Sequence, residues 1–189
     1  APVIQRGEPD RFTLKNGLKV LIVENNKLPR ASVTLSLDNP PIAEGELAGV
    51  SAMTAALLGK GSTTIDKDSF NEEVDFMGAT INFGSQSASA SSLSRYFGRV
   101  LELMADAALH PNFTQEEFDK EKDILLDGIK SGEKSVTTAA RRVENLLAYG
   151  KDHPYGEYVS KESVERVNLA DVDAFYKRHF LPNNAYLVI

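Results

Sequence analysis

The sequence predicts an α+β fold, a mostly antiparallel sheet packed with helices, on three observations. Strand-like runs lie back to back around tight turns, the first at Asn16-Gly17. Segments of helical period with recognisable caps are interleaved with them. Consecutive strands are joined by hairpins as often as by helices, which disfavours a doubly wound parallel sheet.

Residues 12–37 read as sheet: FTLKN, the Asn16-Gly17 turn, LKVLIVE, a polar link, then ASVTLSLD with aliphatic and β-branched residues in alternation. After the loop DNPPIAEGE, the spacing of Leu47, Val50, Thr54, Leu57 and Leu58 predicts a helix over 47–58, broken by GKGSTT. Asp66 or Asp68 caps a second helix to Met77, stopped by Gly78. TINFGSQ and SASASSLS follow as two strands. A helix over 95–109 ends at His110-Pro111. Thr114 with Glu117 reads as a capping box opening a long helix to Lys130, and another helix spans 137–149. The loop KDHPYGEY, a helix over 169–179, Pro182 and a strand from Ala185 to Ile189 complete the chain.

Composition narrows the functions. The chain has 189 residues with 42% hydrophobic content, which suits one domain. Its 21 Lys and Arg against 27 Asp and Glu leave a net charge of −6 with no basic stripe, so nucleic acid is excluded as a partner. The absence of Cys removes disulfides, thiolate metal sites and cysteine nucleophiles. No apolar run approaches the ~18–20 residues that span a bilayer. The small-residue start APVIQ is compatible with a mature end after cleavage, and the apolar run at Ile189 stops without a polar tail. Residues 1–189 are therefore expected to be a single domain, the N-terminal part of a longer chain.

Few residues carry chemistry by themselves. Gly59-Lys60-Gly61-Ser62 lacks the spacing of a phosphate loop and closes a helix instead of opening one. His110, His153 and His179 are too far apart to form a two-histidine helix face; His110 and His179 read as structural or solvent-facing, and at a helix end a cationic His179 would complement the dipole. Most carboxylates fall on charged helix faces, as in EEFDKEKD, and no GxSxG serine elbow occurs.

Several segments in order, RFTLKNGLKVLIVEN, FNEEVDFMGATIN, ADAALHPNFTQEEFDKEK, HPYGE and FLPNNAYLVI, resemble the N-terminal domain of pitrilysin/insulinase-type zinc peptidases, the mitochondrial processing peptidase-like fold. In active members of that family an H-x-x-E-H motif places two histidines at i and i+4 for zinc, with a glutamate at i+3 to take a proton from the metal-bound water. Aligned on the Lys60-Gly61-Ser62 stop, this chain reads GVSAMTAALLGKGS from Gly49. Ala52 and Ala56 fall at the histidine positions and Ala55 at the glutamate position. The third ligand, seven residues after the first Glu of an ERxVI-like stretch, falls at Gly128 of EKDILLDGI.

The resemblance therefore implies no catalytic residue, no metal and no cofactor in this domain. It implies a noncatalytic subunit or domain of such a peptidase, paired with a catalytic subunit or with the second half of the same chain. The strand edge near SQSASASSLS is the expected place for an extended peptide. The alternatives are a scaffold subunit without a proteolytic role, or a zinc protease whose active residues lie in another domain or chain. A bacterial periplasm or envelope location is the accompanying expectation. The small residues at Ala52, Ala55, Ala56 and Gly128 are expected to let two helices close together, with apolar contacts filling the place of the metal.

Overall fold

Alternation along the strands decides what each face of the sheet does. The computed structural model describes residues 8–189, so the reading of APVIQ as a mature end lies outside the described residues. Strands β1 (Asp10–Thr13), β2 (Lys19–Ile22), β3 (Arg30–Leu37), β4 (Thr80–Phe83), β5 (Ser87–Leu93) and β6 (Ala185–Val188) form one sheet in the order β1-β2-β6-β3-β5-β4. Every neighbouring pair is antiparallel except β2 with β6. Leu35 lies opposite Ala88 on one side and Leu187 on the other, and Val33 lies opposite Ala90. These side chains share the apolar face. Ser32, Thr34, Ser36, Ser87, Ser89 and Ser91 alternate onto the other face, which is thus rich in hydroxyls.

The helices are α1 (Val50–Leu58), α2 (Lys67–Phe76), α3 (Phe97–Leu109), α4 (Gln115–Gly132), α5 (Val136–Tyr149), α6 (Lys161–Arg166) and α7 (Leu169–His179). Helices α2 and α3 cover the apolar sheet face, where Phe70, Val100, Leu103, Met104 and Ala107 are buried against Val33, Ala88 and Ala90. A second core lies away from the sheet, where Val50, Met53 and Leu57 of α1 meet Phe118 of α4 and Val172 and Phe175 of α7.

Local chemistry sets the helix ends. Asp66 Oδ1 accepts hydrogen bonds from the Asp68 and Ser69 amides at 3.0 and 2.9 Å, so it is Asp66 that caps α2. The first predicted helix divides: a 3-10 turn over Gly45–Leu47 precedes α1, because Gly49 takes φ 113°, which interrupts a regular helix. Thr114 Oγ1 accepts from the Glu117 amide at 3.3 Å, but the predicted reciprocal half of the capping box is absent. Lys67 Nζ holds the Glu117 carboxylate instead, at 2.9 Å. Helix α6, which periodicity did not indicate, is fixed by a reciprocal pair in which the Ser163 amide donates to Ser160 Oγ and the Ser160 amide to Ser163 Oγ.

The expected peptide-holding edge at residues 85–94 is corrected by the sheet order. β5 is an interior strand, bonded to β3 on one side and β4 on the other, and its main chain has no free edge. Among the described residues the unpaired edges belong to β1, which bonds only to β2, and to β4, which bonds only to β5.

Candidate functional site

Helix α1 is the element on which the resemblance places its chemistry, and the loop before it is tied down. The Glu157 carboxylate, in the HPYGE segment, accepts hydrogen bonds from the Glu44 amide at 2.9 Å and from the Gly45 amide. Glu44 in turn accepts from the Gly49 amide at 2.7 Å, placing a carboxylate at the positive end of α1. Gly49 is required twice over: its φ is positive, and a Cβ there would stand 3.0 Å from both Val159 Cγ1 and Val164 Cγ2.

From this anchored start the helical period distributes the faces. Val50, Met53, Thr54, Leu57 and Leu58 are buried. Ala52, Ala55 and Ala56 lie about 180° around the helix from them. Ala52 is exposed, and Ala55 and Ala56 are half-buried. Helix α4 packs beside α1 and turns Phe118, Leu125 and Ile129 inward. Glu117, Glu121 and Gly128 recur at i, i+4 and i+11 along its flank, where Lys67 pairs with Glu117 and Lys60 with Glu121, the latter at 2.6 Å. The Lys67 ammonium, aided by Lys120, holds the Glu117 carboxyl below the usual carboxylate range.

The expectation that apolar contacts fill the space beside these small residues is not met. Ala52 and Gly128 are at the surface, and nothing stands within 4 Å of a Cβ built on Gly128. The reason is angular. Both helices direct their large side chains into the core with Phe175 and Val172, and the alanine side of α1 faces away from it.

The three histidines lie on different elements. His110 Nδ1 is 3.0 Å from Asp106 Oδ1, while the other Asp106 oxygen accepts from Ser62 Oγ and Thr64 Oγ1. These donors, Ser62 foremost, hold the Asp106 carboxyl below its ordinary range. The cluster clasps the GKGSTT turn to the end of α3, and because Ser62 bonds to the carboxylate instead of the imidazole it lacks the nucleophile–base order of a hydrolase. His153 forms a turn in which its Nδ1 accepts from the Tyr155 amide at 3.1 Å. His179 packs on Phe175 at 4.5 Å between ring centroids. Burial, with Arg178 nearby, lowers its pKa, so the cationic form expected at the helix end is disfavoured.

A profile of the insulinase peptidases (peptidase family M16) matches residues 19–159. The chain belongs to that family. Among its relatives, cytochrome b-c1 complex subunit 1 of Bos taurus is 24% identical over 88% of this chain and 36% of its own length. The uncharacterized zinc protease YmxG of Bacillus subtilis is 21% identical over 95% of this chain and 45% of its own. The crystal structure of an inactive M16 peptidase domain from Pseudomonas fluorescens superimposes with a TM-score of 0.84 at 25% identity, covering 96% of this chain and 46% of that one. The chain thus spans less than half the length of these family members.

A zinc ion does not fit the residues that the family motif would assign to it. Ala52, Ala55, Ala56 and Gly128 have no side-chain lone pair to donate and no proton to transfer. Among the described residues, no group of three or more His, Asp or Glu side chains is arranged to hold a metal elsewhere. Nor, among them, is any helix long and apolar enough to cross a membrane.

Proposed function

We propose that this chain is a noncatalytic insulinase-family domain that contributes partner-binding and peptide-binding surface to a peptidase assembly. The reading rests on one observation: methyl groups and a hydrogen atom occupy the aligned positions of two zinc-ligating histidines, the general-base glutamate and the third ligand. The similarity to a Pseudomonas domain described as inactive supports it.

The peptide surface in this reading is the free edge of β4. Its outer amides and carbonyls are available to add an extended strand, and it lies beside α1, where Phe83 Cδ2 comes within 3.5 Å of a Cβ built on Gly59. A catalytic subunit, or a second half of the same chain, supplies the hydrolytic residues. The test is hydrolysis of an unstructured peptide by the chain alone and mixed with a zinc-bearing family member from the same source. The expected result is no chelator-sensitive cleavage by the chain alone, with cleavage in the mixture that exceeds that of the partner by itself. Chelator-sensitive cleavage by the pure chain would refute the proposal.

The bovine cytochrome b-c1 subunit favours a second reading, a scaffold with no peptide-handling role. Saturable binding of an extended peptide separates the peptide-binding reading from the scaffold.

A further inference from the structure

Helix α5 turns a polar side toward the rest of the molecule. None of its 14 residues is buried, and the half-buried ones are Thr138, Arg142 and Asn145. With Arg141 they stand at i, i+3, i+4 and i+7, so four side chains that donate hydrogen bonds share one helix face. The loop after α5 faces them. Gly156 is glycine of necessity there, because a Cβ would collide with the Gly150 carbonyl oxygen. The Gly156 and Glu157 amides both donate to the His153 carbonyl, at 2.8 and 3.1 Å, which fixes the turn leading to Tyr158. Between helix and loop lies a pocket of about 120 Å³ lined by these residues.

The charge of this pocket is unbalanced. Neither guanidinium pairs with a carboxylate among the described residues. Glu157, the one carboxylate among the lining residues, is turned to the Glu44 and Gly45 amides. The Tyr158 ring, 5.0 Å from the Arg142 guanidinium, orders that side chain but brings no negative charge.

We propose that this pocket binds a phosphate dianion, free or as the end of a phosphomonoester. Two guanidinium charges match a dianion, and each planar fork can donate two parallel N–H bonds to its oxygens. The Thr138 hydroxyl and the Asn145 carboxamide add donors on the same face. A tetrahedral group presents three or more oxygens to these four side chains, where a carboxylate presents two. The volume is well below the ~300 Å³ at which pockets for drug-sized ligands begin, so the site takes the ionic group and not the body of a nucleotide. This inference stands apart from the proposed function: an empty pocket would sink it and leave the account of the zinc positions untouched.

The test is a titration of the isotope-labelled chain with inorganic phosphate at about pH 8 and constant ionic strength, read from amide and arginine N–H signals by NMR. Saturable shifts are expected at residues 138–145 and 156–158, with acetate binding at least about tenfold more weakly. Arg142→Gln should weaken phosphate binding at least about tenfold. Arg141→Gln, at an exposed position, should weaken it by a similar factor with the remaining signals unmoved, which separates loss of the site from loss of the fold. Phosphoserine is the second arm. Shifts at the same residues with equal or tighter affinity assign the end of a monoester, and weaker or no binding assigns the free ion. No saturable shifts up to about 20 mM phosphate, acetate binding as tightly as phosphate, or binding indifferent to both arginine substitutions would each overturn the proposal.

Discussion

Gly49 and Gly128 sit on neighbouring helices and are glycine for opposite reasons. At Gly49 the backbone is left-handed and Val159 and Val164 crowd the missing Cβ, so Gly49→Ala should cost about 2 kcal/mol in urea unfolding. At Gly128 the backbone is helical and the space open, so Gly128→Ala should stabilise by about 0.5–1 kcal/mol. A loss at Gly128 would mean that something needs the gap. Asp106 has a pH signature. Its folded pKa is depressed, so its contribution is complete above the unfolded carboxylate pKa near 4 and disappears as pH falls through the lower folded value. Asp106→Asn should therefore destabilise by about 1 kcal/mol at pH 7, the partial exposure of the carboxylate discounting a larger value, and by progressively less below about pH 4. A difference independent of pH would contradict the clasp.

At the scale of the element, α1 is held by what it buries. Leu57 is 1% exposed within the second core, and Leu57→Ala should cost about 3 kcal/mol by thermal or urea unfolding. Ala56→Ser, on the opposite face, should change stability by less than about 0.5 kcal/mol. Equal losses at the two positions would mean that the helix is rotated from this description. The long helices were legible in the sequence because their apolar residues repeat at 3.6 and because Asp66 and Thr114 mark the starts of α2 and α4. Helix α6 was not, since six residues are too few to show a period and only its Ser160–Ser163 pair marks it. The interior position of β5 was hidden for a different reason. Ala88 and Ala90 are as buried as any core residue, yet Ser/Ala alternation carries almost no hydrophobic contrast, so the strand read as a free edge. The insertion of β6 between β2 and β3 is a pairing across some 150 residues that no local pattern records.

For the whole molecule, the sequence names four candidate positions but not their surroundings. The four positions are named by the resemblance, which aligns GKGS and EKDILLDGI with the family's motif segments. That their side of the helices would be open could not be read from small residues alone, which suit a crowded crossing and a bare surface equally. The distribution of bulk on the remaining faces decides it, and that depends on α7 and on the Glu157–Glu44 tether that orients α1. In the proposed reading the domain is a family framework whose motif positions carry no metal donors while its core, caps and loop ties hold it together. The measurement that tests this most directly is bound zinc per chain, by elemental analysis after zinc equilibration and desalting, for the native protein and for the variant Ala52→His, Ala55→Glu, Ala56→His, Gly128→Glu. The prediction is no retained zinc in the native chain and about one chelator-removable zinc in the folded variant. A native chain that keeps a stoichiometric zinc, or a folded variant that keeps none, would contradict it.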